Sequence, residues 1–404
     1  PAEDTEETKE AAEVKPEDIT GNLIYWTFTD NANNLVTEFN KIYPNVTVDL
    51  TVFGGDEYKT KILTTLQSGK DIPDLFDLEE GFVYEFFDSD AILDLSTIGI
   101  EDLIKDYYDF QVAGMKDSSG KIKGLSFQSS PVAFWHLRDA CEQWLGTSDD
   151  KEISAMLSDW DSIIAKAKEV YEKSNGEVYL WPNIAEMVKV QAFSFEPLVR
   201  NQKLNVTDEW IGLIDDMRAM YQSGYMADLG SWSSEWSAAW NEGKLLFRAM
   251  PSWDFFTDWD KNKGNVGVAA PFESSYEGGT FISVYSETEN LDAAKIFLEY
   301  IASDEFQKVN MTNYNQVPAS LKVAEELANG FAAENFGGQN ILKTYSDICA
   351  NTVDITPDKY TRPVQNKFQK HASDGIKAGI SNEEIIQNFK TEIRDLYPEV
   401  EITD

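Results

Sequence analysis

The stretch that decides the fold is NLIYWTFTDNANNLVTEFNKIYPNVTVDLTVFGGDEYKTKILTTLQSGKDIPDLFDLEE, residues 22–80. It reads as strand, helix, strand, helix, strand. The first strand, Leu23 to Trp26, gives way to Thr27-Phe28-Thr29-Asp30. Leu35, Val36, Phe39, Ile42 and Tyr43 then recur at helical spacing, and Pro44 closes that helix. Val46, Val48, Leu50 and Val52 alternate as a second strand. Gly54-Gly55 turns the chain into a helix with Tyr58, Ile62, Leu63 and Leu66 on one face, ended by Gly69. A third strand starts at Pro73 and runs into Asp77. Alternating βα units predict a parallel sheet covered by helices on both faces, an α/β fold. Open α/β sheets bind ligands beyond the carboxyl ends of their strands. Trp26, Phe28, Thr29 and Asp30 are expected there after strand one, and Asp77, Glu79 and Glu80 after strand three. An indole among hydroxyls, amides and carboxylates suits a ring with an apolar face and a polar rim better than a phosphate.

Working outward, 404 residues allow two or three domains, and a hydrophobic fraction of 42% can fill two cores. No apolar run is long enough for a membrane-spanning helix. The chain opens at Pro1 without a secretion leader, as expected of a processed or trimmed chain. Residues 1–20 are rich in Glu, Asp, Thr and Ala and poor in large apolar groups, which predicts a disordered acidic tether. The formal net charge of −37 argues against nucleic acid and against anionic membrane surfaces. Two cysteines, Cys141 and Cys349, read as buried thiols, with a bridge between them as the alternative. The histidines are His136 and His371; His136 alternates with apolar neighbours and reads as structural. Nucleophile-elbow, zinc and Walker motifs are missing from the sequence, so neither catalysis nor a cofactor or metal is expected.

The same stretch resembles the amino-terminal lobe of the extracellular solute-binding proteins of carbohydrate ABC importers, the maltose-binding-protein-like group. The resemblance continues through GKIKGLSFQSSPVAFWHLRDACEQ (120–143), NEGKLLFRAMPSWDFF (241–256) and GGTFISVYSETENLDAAKIFLEYIASDEFQ (278–307). It implies a two-lobed, type II periplasmic-binding-protein-like fold with ligand in the interlobe cleft. The implied lobes are 21–130 with 270–320, and 131–269 with 321–404. The implied function is capture of a neutral oligosaccharide outside the cell, and delivery by hinge closure to permease subunits with a cytoplasmic ATPase. The resemblance also implies a monomer, and a Gram-positive cell-surface lipoprotein whose lipid-bearing cysteine is not in this sequence. The other readings are a solute-binding protein for a polyamine, peptide or iron complex, or a glycoside hydrolase.

Each candidate ligand contact has a structural alternative. Trp26 reads as a stacking platform or as a core tryptophan, and Thr29 and Asn33 as contacts or as helix-cap neighbours. Asp77 and Glu79 read as acceptors for sugar hydroxyls, where the family carries such a residue, or as solvated loop acids. Phe127, Gln128 and Ser130 fall at the family's hinge-side contacts, or form an ordinary strand and turn. Trp181 falls in a region that faces the cleft in the family. Trp232, Trp236 and Trp240 repeat every four residues, a stripe that reads more readily as packing than as a binding face. Trp253 matches the family's ring-stacking aromatic after a strand. Gly279 lies in a glycine turn that lets backbone approach a ligand or simply turns the chain. Tyr360 falls in a loop that closes over the cleft in relatives.

Overall fold

The structure, a computed structural model, describes residue 15 and residues 18–191, 193–254 and 259–402. Most of the expected tether over 1–20 lies outside the described residues; Ile19, near its end, leans on the first core.

The chain opens with β1 (Gly21–Thr27), α1 (Ala32–Ile42), β2 (Val46–Val52), α2 (Gly55–Ser68) and β3 (Leu75–Glu79). The alternation in β1 buries Leu23, Tyr25 and Thr27, while β3 is buried almost throughout, as a central strand must be. Gly69 takes φ +65° and ends α2 in the left-handed conformation that glycine adopts without penalty. β1 pairs in parallel with β2 and β3, matching Tyr25 to Leu50 and to Leu75. β4 (Leu125–Ser126) completes the sheet, but through an antiparallel strand, β10 (Thr280–Val284), inserted between β3 and β4. The order is β2-β1-β3-β10-β4. The sheet is therefore mixed, where βα alternation alone predicts a parallel one. Around it lies a first core that includes Leu23, Phe39, Phe76, Ile282, Phe297 and Phe306.

The second sheet is antiparallel: β8 (Phe247–Pro251), β5 (Val132–Leu137) and β9 (Val266–Ala269), with β5 in the middle. Phe134 faces Ala249 on one side and Ala269 on the other. A small sheet joins β6 (Val199–Arg200) and β7 (Lys203–Leu204) to β11 (Glu401–Ile402). The second core includes Phe134, Trp181, Trp210, Trp236, Tyr345, Phe368 and Phe389, so the carboxyl-terminal helices cover this lobe. Cys141 and Cys349 are free, buried thiols in that core.

Among the described residues, three segments that run between the two cores, around Ser129, Glu277 and Val317, are hydrogen-bonded to one another. Ser129 N donates to Val317 O at 2.8 Å, and Glu277 N to Ser130 O at 3.0 Å. Buried Gln307 clamps two of them: its Nε2 donates to Phe127 O at 3.1 Å, and its Oε1 accepts from Ala319 N at 2.9 Å.

Candidate ligand site between the lobes

The strand ends of the first lobe build one wall. Tyr58, buried on α2, donates its hydroxyl to Trp26 O and Asp77 O at 3.1 and 2.7 Å, fixing the ends of β1 and β3 together. The chain leaving β1 then presents Phe28, packed on Tyr58 at 5.6 Å, with Thr29 and Asn31. Thr29 Oγ1 accepts from Asn31 N at 3.3 Å. β3 ends at Glu79, whose Oε2 accepts from Gly81 N at 2.8 Å. A Cβ on Gly81 would sit 2.7 Å from that oxygen, so a side chain there would push the Glu79 carboxylate out of this hydrogen bond. Burial, and then the neighbouring Glu80 charge, push the Glu79 carboxyl up to about 7.

The opposite wall comes from the second lobe. Trp253 follows β8, and its Nε1 donates to Glu277 O at 2.8 Å. Gly278 and Gly279 both have positive φ, and a Cβ on Gly278 would lie 3.1 Å from Trp253 Nε1. The glycine turn thus lets backbone approach the indole edge. Between the walls is a cavity of about 320 Å³ lined by Phe28, Thr29, Glu79, Gln128, Trp253 and the 278–280 backbone, among others. Gln128 is buried, and its Oε1 has no hydrogen-bond partner among the described residues. An apolar ring face opposite a carboxylate, a hydroxyl and an unused amide oxygen can hold a ring with a polar rim.

Of the residues singled out from sequence, Thr29, Glu79, Gln128, Trp253 and Gly279 line this cavity. Trp26 does not: it packs edge-on against Phe53 at 5.0 Å, with Lys61 over its ring at 5.2 Å. β1 extends through Thr27, so the first aromatic past the strand is Phe28. The same offset removes Asp77. β3 continues to Glu79, and Asp77 is fully buried, accepting from Tyr25 Oη at 2.7 Å and from Thr27 Oγ1. Asn33 sits on the exposed side of α1, donating to Asp30 O. Phe127 belongs to the first core, and Ser130 is buried behind Gly279.

Trp181 is fully buried between Phe134 and Trp160 at 5.5 and 5.4 Å and presents nothing to the cleft. Tyr360 is buried too, bonded to Glu399 at 2.8 Å, and borders a different cavity with Tyr84 and Lys116. Trp236 and Trp240 are core, with the Arg248 guanidinium 3.5 and 4.4 Å from their rings. Trp232 precedes that helix (Ser234–Asn241), is exposed, and lies parallel to Trp253 at 5.9 Å. His136 is buried against Phe247, and burial lowers its pKa to about 3, a structural role. Phe28, expected at the end of strand one, and the 278–280 turn line the cavity as well, and Asn31 is a lining residue that the sequence did not single out.

A buried ion pair next to Glu79 in sequence joins residues that lie far apart in the chain. Arg362, on the helix Thr361–Ala378, donates Nε to Glu80 Oε2 at 2.8 Å, with Nη2 at 2.7 Å from the same oxygen. Both side chains are buried, and the guanidinium lies 4.7 Å from the Phe193 ring.

The family model for bacterial extracellular solute-binding proteins matches residues 34–335, three quarters of the chain. The chain belongs to this family. A curated relative of this solute-binding protein is an arabinooligosaccharide-binding protein of Halalkalibacterium halodurans, 22% identical over 387 residues. That match covers 87% of this chain and 84% of the relative. Among solved structures, a family 1 extracellular solute-binding protein superposes with TM-score 0.81 at 20% identity, covering 93% of this chain and 99% of its own. The galacto-N-biose/lacto-N-biose I-binding protein of Bifidobacterium longum, solved with lacto-N-biose, gives 0.75 at 18% identity, covering 95% and 99%. At these identities the likeness establishes the two-lobed fold. Among the described residues, no helix of this solute-binding protein is long and apolar enough to cross a membrane.

Proposed function

We propose that this protein binds a neutral oligosaccharide outside the cell, in the cavity between its lobes, and delivers it to an ABC permease. The observation that carries this reading is the facing of Trp253 from one lobe and Thr29, Glu79 and Gln128 from the other across about 320 Å³. The indole supplies the apolar surface that a sugar's C–H face needs, and the polar groups supply hydroxyl partners. The names of the relatives point the same way: one is an arabinooligosaccharide-binding protein, and another was solved with lacto-N-biose.

The lobes are 21–130 with 270–320, and 131–269 with 321–404. Because the ligand touches both, binding favours the closed arrangement, and the permease with its ATPase reads that arrangement. The protein acts as a monomer held at a Gram-positive cell surface by a lipid on a cysteine outside this sequence. Binding rather than hydrolysis is favoured because the cavity is lined by one carboxylate, Glu79, among the described residues. Glycoside hydrolysis needs two carboxyl groups flanking one bond. The test is titration calorimetry with neutral oligosaccharides, combined with product analysis after prolonged incubation. Saturable binding with intact sugar supports the reading; turnover, or no binding to any sugar, refutes it.

A further inference from the structure

Trp232 is 44% exposed, although it is an indole beside the cleft. Its backbone sits at φ +70°, a conformation in which a bulky side chain is an outlier. Such strain persists only where the surroundings over-determine it, and it clusters at functional sites. The surroundings here do so. Ser231 Oγ donates to Glu186 at 2.7 Å. Asn183 Nδ2 donates to Leu229 O at 2.7 Å, and Ser233 Oγ accepts from Trp236 N. Glu186 is itself buried and also accepts from Ala249 N of β8 at 2.9 Å. The loop is thus tied to the strand that leads into Trp253.

Trp232 also borders a second cavity, about 350 Å³, with Asn183, Lys189, Glu277, Gln369 and Ser373. This cavity adjoins the first. Glu277 lines the second, its neighbour Gly278 lines the first, and the parallel Trp253–Trp232 rings span the step between them. The charges around the second cavity are paired within it: Lys189 with Glu277 at 3.0 Å and Lys377 with Asp228 at 2.6 Å. Ser373 Oγ is buried without a hydrogen-bond partner among the described residues. Paired charges, amides and hydroxyls beside a partly exposed indole, with Lys189 Nζ 5.4 Å from its ring centre, suit an uncharged polyhydroxylated chain rather than an ion.

We propose that Trp232 is the platform of a second glycan subsite, so that the protein takes a linear neutral chain running from the first cavity across the Trp253–Trp232 step into the second. The proposal rests on the sugar-binding reading above and adds chain length to it. The test is calorimetry with 1,5-arabinooligosaccharides, maltooligosaccharides and β-galactooligosaccharides of one to five rings, on the wild type, Trp232→Gly and Trp232→Phe. Glycine removes the indole and accepts the positive φ; phenylalanine keeps a ring. In whichever series binds, the wild type is expected to hold the tetrasaccharide about tenfold or more tighter than the disaccharide. Trp232→Gly brings that ratio to near one, and Trp232→Phe restores most of it. A wild-type ratio near one, or a ratio untouched in Trp232→Gly, overturns the second subsite while leaving sugar binding standing. Failure of every series to bind the wild type removes both.

Discussion

Removing Arg362 should destabilise the protein in a strongly pH-dependent way. In Arg362→Met, Glu80 keeps its burial and loses both guanidinium contacts, at 2.8 and 2.7 Å. A buried charge left without its partner costs about 3–5 kcal/mol. Burial already pushes the Glu80 carboxyl up, against the pull of Arg362, and without that pull the folded state holds Glu80 protonated. The cost is then that of carrying a proton which the unfolded chain gives up near pH 4.3. That cost grows as pH rises above the unfolded value, by at most about 1.36 kcal/mol per unit. The orphaned carboxyl has a folded pKa above its unfolded one. Stability is therefore intact below about pH 4 and falls as pH rises. Glu79, which also feels Arg362, moves the same way. The double variant Glu80→Gln/Arg362→Met buries no charge and should lie close to wild type at both pH values. Urea unfolding followed by tryptophan fluorescence at pH 5 and pH 7 measures all three proteins. An Arg362→Met protein as stable as wild type at pH 7 would refute the reasoning, because Glu80 would then be hydrated and the lobes apart at that point.

Two further outcomes follow from the cavity. Trp253→Ala should weaken binding of a neutral oligosaccharide by about 1–3 kcal/mol through lost apolar contact, read by calorimetry, with a melting temperature near wild type. Affinity for that sugar should rise with pH through about 7: Glu79 is protonated below this in the free protein, and a sugar hydroxyl donating to the ionised carboxylate lowers its pKa in the complex. Calorimetry at pH 7 in two buffers of different ionisation enthalpy should register proton release; Glu79→Gln should abolish both effects, and a flat profile in the wild type would count against Glu79 as an acceptor.

The local fold was legible because it is written in short-range periodicity. β1, α1, β2, α2 and β3 follow from apolar spacing within residues 22–80, and Gly69 marks the end of α2. Strand ends were legible only to within two residues, and that margin decides which side chain reaches the cleft. β1 running to Thr27 exchanges Trp26 for Phe28, and β3 running to Glu79 turns Asp77 inward. The fate of Asp77 depends on the hydroxyls of Tyr25 and Thr27, about fifty residues away, which no local pattern reveals. Trp181 and Trp253 look alike in sequence, each after a short apolar run. They differ because Phe134 and Trp160 close over the first. The insertion of β10 and the Glu80–Arg362 pair, 282 residues apart, are products of the tertiary fold alone.

The ligand proposed for the cavity between the lobes is a neutral oligosaccharide. The most direct test is titration calorimetry of the intact protein against monosaccharides, neutral di- to pentasaccharides, galacturonate oligomers and spermidine under one set of conditions. The indole of Trp253 beside the half-buried carboxylate of Glu79 predicts the tightest binding among the neutral chains of two or more rings. A uronate should bind more weakly, because its carboxylate meets Glu79 at a desolvated contact. Tightest binding to a monosaccharide, to the uronate series or to spermidine would contradict the account.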